Sequence, residues 1–187
     1  MSIKFLATAI VTGLLLNGAV GPTPAVAQGS VLAGDSTFIQ SAASFGLLQV
    51  QLGKMAQEKG SSPAVRDFGQ RMVADYTKAN EEFAAGAKQA AFPSPALTRQ
   101  HRKLLERFSQ LGRSSFDKSY MAEMVNQQDQ VLRLFQQEAD KGKVASLKQL
   151  ASKMLPTIQG HLALAKETAG SVGADVTAST SGARQGS

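Results

Sequence analysis

The chain has 187 residues, of which 43% are hydrophobic and 18% are charged, a composition typical of one globular domain. This composition excludes a largely disordered protein and a protein with several membrane spans. There is no cysteine, which excludes disulfides, thiolate metal sites and cysteine nucleophiles. We interpret the formal net charge of +6 mainly as solvated surface, and we expect no nucleic-acid partner.

The N-terminus has the pattern of a secretory signal peptide. Lys4 provides a positive start, an apolar run covers residues 5–20, and Ala25-Val26-Ala27 supplies small residues for cleavage. We therefore predict a signal peptide at residues 1–27 and a linker at 28–34. The predicted location is periplasmic or secreted, without a membrane span after cleavage. An uncleaved signal anchor is the alternative interpretation of the same run.

Four long segments have apolar residues at helical spacing, and strand-like alternation is absent. In chain order, the long helices are predicted at residues 36–59, 63–90, 115–141 and 143–169, with a short basic helix at 98–111. Pro156 lies inside the last long helix, where we expect a bend but no break. Residues 170–187 are mostly small and polar, and are predicted to form a disordered tail.

Short connections force neighbouring helices to run in opposite directions. The predicted fold is therefore all-α: an up-down-up-down antiparallel four-helix bundle over residues 35–169. The short helix is expected between the second and third long helices.

Each long helix has one hydrogen-bonding side chain near the middle of its apolar face. These four residues are Gln49, Tyr76, Gln128 and His161. We call them the central layer, because mid-helix positions of an antiparallel bundle fall at one level. Three interpretations are open: a hydrogen-bonded plug in the core, a weak pocket for a metal or small ligand, or side chains that face solvent.

Several short stretches of this sequence resemble the exported bacterial family catalogued as domain of unknown function 4142. The stretches are Asp35-Ser36-Thr37-Phe38, Gln49-Val50-Gln51-Leu52-Gly53, Arg71-Met72-Val73-Ala74-Asp75-Tyr76-Thr77-Lys78-Ala79-Asn80, Phe116-Asp117 with Tyr120, and Leu155-Pro156-Thr157-Ile158 followed by His161. The resemblance covers about Asp35 to Ala169. It implies a ferritin-like four-helix bundle, and it implies no established activity.

The resemblance also bears on metal binding. The family pattern usually has a glutamate at the position of Gln49, and histidines at the positions of Tyr76, Gln128 and His161. Only His161 matches this pattern. Neutral amides and a phenol are poor replacements for carboxylate and imidazole ligands. We therefore predict that the family's metal site is largely lost and that the protein binds no metal and no cofactor.

The short basic helix is the strongest surface feature of the sequence. Its neighbouring helical positions hold Arg99, Arg102, Lys103 and Arg107, a candidate patch for an anionic lipid or polymer. The alternative is a solvated amphipathic helix that caps the bundle. We identify no catalytic residue, since the sequence has no nucleophile elbow, phosphate-binding loop or dinucleotide motif.

These observations favour an exported, non-catalytic helical-bundle protein of the cell envelope, acting as an interaction or stress-related module. The expected partner is an envelope protein or an anionic surface, and a homodimer is a further candidate. The alternative function is that of a ferritin-like metal-binding or metal-dependent oxidation protein that uses the central layer around His161.

Overall fold

The computed structural model describes residues 33–89 and 96–177, with side chains from 34 to 81 and from 96 to 177. Five helices are found there: α1 (Ala33–Lys59), α2 (Pro63–Gln89), α3 (Arg99–Gln110), α4 (Arg113–Lys141) and α5 (Ala145–Ser171). Since these ranges contain no strand, the all-α prediction is confirmed for them. The predicted signal peptide, linker residues 28–32 and tail residues 178–187 lie outside the described residues.

The predicted helices are found in the predicted order, with ends shifted by a few residues. Helix α1 begins at Ala33, so the last two residues of the predicted linker are helical. Helix α4 begins at Arg113, because Ser115 lies within the first turn and its backbone N–H bonds to the Gly112 carbonyl at 3.2 Å. Thr98 caps α3, where its side chain accepts a hydrogen bond from the His101 backbone N–H.

Helix α5 continues across Pro156 and ends two residues later than predicted, at Ser171. Gly173 adopts a φ of +64°, and the Ala174 N–H bonds back to the Ala169 carbonyl at 2.9 Å. This is a glycine-dependent way to close the end of a helix. Val172, Ala174 and Val176 pack against the core, so the structure differs from the predicted disordered tail over residues 170–177.

Helices α1 and α2 pack in opposite directions through close backbone contact. A Cβ atom on Gly53 would lie 2.7 Å from the Gly69 carbonyl oxygen, and Gly46 faces Asn80. Residue numbers thus fall along α1 as they rise along α2. Gly53 and Gly69 let the backbones of α1 and α2 approach more closely than any larger side chain would permit.

Helices α1 and α4 also run in opposite directions, so α2 and α4 are parallel and the predicted up-down-up-down order is wrong. The segment that contains α3 returns the chain to the end at which α2 begins, and this allows α4 to run in the same direction as α2. Phe38, in the second turn of α1, contacts Phe135 near the end of α4 with ring centroids 5.0 Å apart. At the other end, the Asp117 carboxylate of α4 accepts hydrogen bonds from the backbone N–H groups of Ser61 (3.0 Å) and Ser62 (2.7 Å). Helix α5 packs mainly on α4 and also contacts α2, while α3 packs on α1.

The apolar faces of these helices form one buried core. Leu48, Leu52 and Val65 are fully buried from the α1 and α2 side, and Met121 and Met124 from α4. Burial of such side chains contributes roughly 25 cal/mol per Å² of apolar surface, so the core is the main source of stability. Over residues 33–89 and 96–177, no helix is both long enough and apolar enough to cross a bilayer.

Candidate functional site

All four residues of the central layer are buried. Gln49 and Gln128 are fully inaccessible, while Tyr76 is 7% and His161 is 5% exposed. They lie on four different helices, as the spacing of apolar residues predicts. The interpretation that these side chains face solvent therefore does not hold.

Three of the four side chains form one chain of hydrogen bonds. The Tyr76 hydroxyl donates to Gln128 Oε1 at 3.2 Å, and Gln128 Nε2 donates to Gln49 Oε1 at 3.3 Å. The same Gln128 nitrogen lies 3.6 Å from the sulfur of Met72. This chain joins α2 to α4 and α4 to α1, so it links three helices within the core.

Burial keeps the Tyr76 phenol protonated. Removal from water raises its pKa, and the nearby negative charge of Asp75 acts in the same direction. The hydrogen bond to Gln128 opposes this shift only in part. The phenol is therefore a neutral donor at physiological pH, as its bond to the Gln128 carbonyl requires.

His161 pairs with Asp75 and not with the layer amides. Its Nε2 lies 2.9 Å from Asp75 Oδ2, and its ring centroid lies 5.3 Å from that of Tyr76. Asp75 also accepts a hydrogen bond from Arg71. Burial opposes ionisation of Asp75, but the bonds from Arg71 and His161 outweigh it and lower the pKa of this carboxyl. The carboxylate is therefore anionic, and His161 Nε2–H is the donor toward it.

Asp75 is the member of this site that sequence reasoning missed. Adjacent residues of an α-helix point about 100° apart, so a residue next to Tyr76 is expected to lie outside the core stripe. In the structure its side chain is 30% exposed and bridges exposed Arg71 to buried His161. The only signal in the sequence was its place inside the resemblance block around Tyr76.

These residues do not fit the metal site that the resemblance implies. Both glutamine oxygens already accept hydrogen bonds, Tyr76 retains its proton, and His161 supplies a single imidazole. Catalytic and structural metal sites use three or four protein ligands, mostly thiolate, imidazole or carboxylate. Among the residues that the structure describes, no group of three or more His, Cys, Asp or Glu side chains is placed to hold a metal.

Two atoms near this layer are buried without a protein partner among the described residues. They are Gln49 Nε2 and His161 Nδ1. An amide N–H is a donor and cannot ligate a metal, so the Gln49 atom does not extend the ligand set. With Nε2–H donating to Asp75, neutral His161 leaves Nδ1 as an acceptor. The arrangement is suited to fixing helix register by hydrogen bonding.

An open groove of about 750 Å³ runs along the outer side of α1 and α2. Leu47, Val50 and Met55 form its apolar part, and Lys54 and Glu81 contribute charge. None of the four residues of the central layer lines this groove. The groove and the central layer are therefore separate features of the structure.

Helix α3 presents most of the predicted basic patch to solvent. Arg99, Arg102, Lys103 and Arg107 are all exposed. Arg107, however, forms an ion pair with Glu123 of α4 at 2.7 Å and lies over the Phe108 ring. Arg102 donates to the Leu97 carbonyl with one guanidinium nitrogen. We name Arg99, Arg102 and Lys103 the basic face, since the charge of Arg107 is locally compensated.

The opposite side of α3 is anchored to the rest of the protein. Leu105 and Phe108 are buried, and the Lys59 ammonium donates to the Phe108 and Leu111 carbonyls at the end of the helix. Near its start, Ser44 Oγ lies 2.7 Å from His101 Nδ1. Burial lowers the pKa of His101, and the Ser44 bond opposes this only in part. These long-range contacts keep the basic face directed outward.

The comparisons with known proteins identify the family. No curated protein and no solved structure matches the chain. A family model described as Domain of unknown function (DUF4142) matches residues 20–168, which include all four residues of the central layer. The resemblance inferred from the short sequence stretches is thus confirmed, and the chain belongs to the DUF4142 family.

Proposed function

We propose that the protein is an exported, non-catalytic module of the cell envelope that binds anionic surfaces through the basic face of α3. Its central layer serves to hold the helices in register. The proposed scaffold is a ferritin-like four-helix bundle formed by α1, α2, α4 and α5, with α3 as an added helix. Because α1 is antiparallel to both α2 and α4, the proposed direction of the four helices in chain order is up-down-down-up.

The proposed bundle is supported by contacts already described. Helix α1 runs opposite to both α2 and α4, and α5 contacts α4 and α2. Only three residues join α1 to α2, and three join α4 to α5. Connections this short favour antiparallel neighbours.

The proposed location is supported by the N-terminal sequence. A positive residue, an apolar run and Ala25-Val26-Ala27 are the features of a cleaved export signal. An exported protein meets anionic lipid head groups and acidic cell-wall polymers, and an outward basic face is complementary to both.

The observation that best supports surface binding is the division of α3 into two sides. Leu105 and Phe108 fasten one side to the core, so the helix need not unfold or detach in order to bind. The other side exposes Arg99, Arg102 and Lys103 against one acidic residue of the helix, Glu106. Each basic residue near an anionic membrane surface contributes about 1 kcal/mol.

We predict that the double charge reversal Arg99→Glu and Lys103→Glu weakens binding to phosphatidylglycerol vesicles at low salt by at least about tenfold. Vesicle co-sedimentation measures the effect, with neutral phosphatidylcholine vesicles as the lipid control. Lys153→Glu with Lys166→Glu, on the exposed side of α5, is the matched protein control because it changes net charge equally. An equal loss in both variants, or no binding by the unchanged protein, contradicts the proposed surface.

A second function, metal binding, has one observation in its favour. His161 Nδ1 is buried and makes no hydrogen bond to the described residues around it. One imidazole nitrogen falls short of the ligand set that holds iron or zinc. Surface binding is therefore the better supported function, and the metal content of the protein tests whether the central layer holds a metal.

A further inference from the structure

Two buried carboxyl groups meet at the end of the molecule opposite the α1–α2 connection. Asp35 lies in the first turn of α1 and is 2% exposed, while Glu138 lies in the last turn of α4 and is 6% exposed. One oxygen of each, Asp35 Oδ2 and Glu138 Oε1, is buried and has no donor among the described residues. Neither residue belongs to the central layer or to the basic face.

The surroundings of the two carboxyl groups favour the negative charge on one of them over the other. Asp35 Oδ1 accepts a hydrogen bond from the Lys143 backbone N–H at 3.1 Å. The first turn of a helix also favours an anion, so Asp35 is the better site for the negative charge. Glu138 lies at the carbonyl end of α4, where the helix dipole disfavours an anion.

The charged groups that act on Glu138 come from two other helices, Asp35 from α1 and Lys148 from α5. Burial raises the pKa of Glu138, the neighbouring Asp35 carboxyl group raises it further, and Lys148 opposes these effects. The Lys148 ammonium makes its hydrogen bond to a different group, since it donates to the Asp140 carbonyl at 3.2 Å. Gly142 leaves room for the Glu138 carboxyl group, because a Cβ atom on Gly142 would lie 2.3 Å from Glu138 Oε1.

We propose that Asp35 and Glu138 share one proton, carried on Glu138 Oε1 and donated to Asp35 Oδ2. A single proton gives a partner to both unpaired oxygens. It joins the start of α1 to the end of α4, and the Lys143 N–H extends the link to the α4–α5 connection. Two carboxylates supply far fewer oxygens than the six to eight that calcium takes, so a proton suits the pair better than a metal ion.

The shared proton makes the stability of this end of the protein decrease as the pH rises. In the unfolded chain Glu138 has its ordinary pKa, and in the folded protein its pKa is raised. The contribution of Glu138 to stability is therefore complete at pH values below its ordinary pKa. It is lost as the pH rises through the raised pKa of the folded protein. Each unit of the shift corresponds to about a tenfold change in the folding equilibrium constant.

The test compares the pH dependence of unfolding in the unchanged protein and in Glu138→Gln. The glutamine amide donates permanently to Asp35, so this variant keeps the bond without a titrating proton. Between about pH 5 and about pH 9 we expect the unchanged protein to lose stability relative to the variant, by about tenfold in the equilibrium constant per unit of pKa shift. Glu106→Gln, at an exposed position of α3, is the matched control and should follow the unchanged protein.

A second measurement follows the proton directly in the unchanged protein. Carboxyl ¹³C NMR of the unchanged protein should show Glu138 titrating above the ordinary glutamate range. In Asp35→Asn the titration should move toward that range. Titration of Glu138 at its ordinary value, or parallel pH curves for the unchanged protein and Glu138→Gln, would overturn the shared proton. Stabilisation by millimolar calcium that disappears in Glu138→Gln would overturn it in favour of a cation site.

Discussion

Gln128 is the residue on which the central layer depends, because its single amide bonds to two other helices. Its carbonyl accepts from Tyr76 and its N–H donates to Gln49, and the side chain is fully buried. A buried polar group that loses its partner costs about 1 to 3 kcal/mol, more than an average hydrogen bond contributes. The layer therefore stabilises one register of α1, α2 and α4 and penalises others.

We predict that Gln128→Leu lowers the free energy of unfolding by about 3 kcal/mol, because Tyr76 and Gln49 lose their partner together. Tyr76→Phe, which removes one hydroxyl, should cost about 1 to 2 kcal/mol. The double variant should cost less than the two losses combined by about 1 kcal/mol, since both remove the same bond. Urea unfolding of the four proteins measures these values.

Gln137→Leu is the control for this cycle, because Gln137 lies on the exposed side of the same helix. It should change the free energy of unfolding by no more than about 0.5 kcal/mol. Strictly additive losses from Gln128→Leu and Tyr76→Phe would mean that the two side chains do not interact in solution.

The residues of the layer were predictable from the sequence, and their partners were not. Helical spacing places Gln49, Tyr76 and Gln128 on core faces, because apolar neighbours three or four residues away mark those faces. The Asp75–His161 contact joins residues 86 positions apart on different helices. No local pattern specifies such a pairing, which depends on how the two helices are rotated against each other.

At the scale of helices, the contact between Gly53 of α1 and Gly69 of α2 determines how closely the first two helices pack. A Cβ on Gly69 would lie 2.7 Å from the Ala56 Cβ and 2.7 Å from the Gly53 carbonyl oxygen. Backbone atoms cannot yield as a flexible side chain does, so the helices would have to separate. A methyl group at this position is therefore expected to overpack the interface.

We predict that Gly69→Ala lowers the free energy of unfolding by about 1 to 3 kcal/mol, despite the better helix propensity of alanine. Gly160→Ala in α5 is the matched control, since a Cβ there meets nothing within 4 Å. That control should stabilise the protein by up to about 1 kcal/mol. Thermal unfolding of both variants measures the difference, and equal stabilisation would show that α1 and α2 lie further apart than described.

The helices were more predictable than their ends. Predicted and observed ranges agree closely, since a long apolar period is a strong signal. Two helices begin earlier than predicted: α1 at Ala33 instead of residue 36, and α4 at Arg113 instead of residue 115. The C-terminal end of α5 differs because Gly173 and the apolar contacts of Val172, Ala174 and Val176 extend the ordered chain.

At the scale of the whole molecule, polar contacts join the ends of the helices and an apolar core fills the space between them. Asp117 holds the α1–α2 connection to the start of α4, and Asp35 holds the start of α1 to the α4–α5 connection. Both carboxylates accept backbone N–H groups from distant segments. The order of the described helices along the chain was predictable from the sequence. The hydrogen bonds of Asp117 and Asp35 were not, because they depend on which helix ends lie next to each other in the fold.

Neutral side chains lie in the middle of the core, at the positions where the resemblance implies the ligands of a metal site. Gln49 and Gln128 are occupied by hydrogen bonds, and Tyr76 keeps its proton because burial raises its pKa. The resulting layer is expected to act as a structural link between helices, and the His161–Asp75 pair beside it as a support for α2 and α5.

Metal analysis of the purified protein, produced in cells supplied with iron, manganese, zinc and copper, tests whether the central layer holds a metal. We predict less than about one tenth of an equivalent of any of these metals, with the same trace amount in His161→Ala, because one imidazole does not hold such an ion. A near-equimolar metal that survives dialysis in the unchanged protein and is lost in His161→Ala would show that the central layer is a metal site.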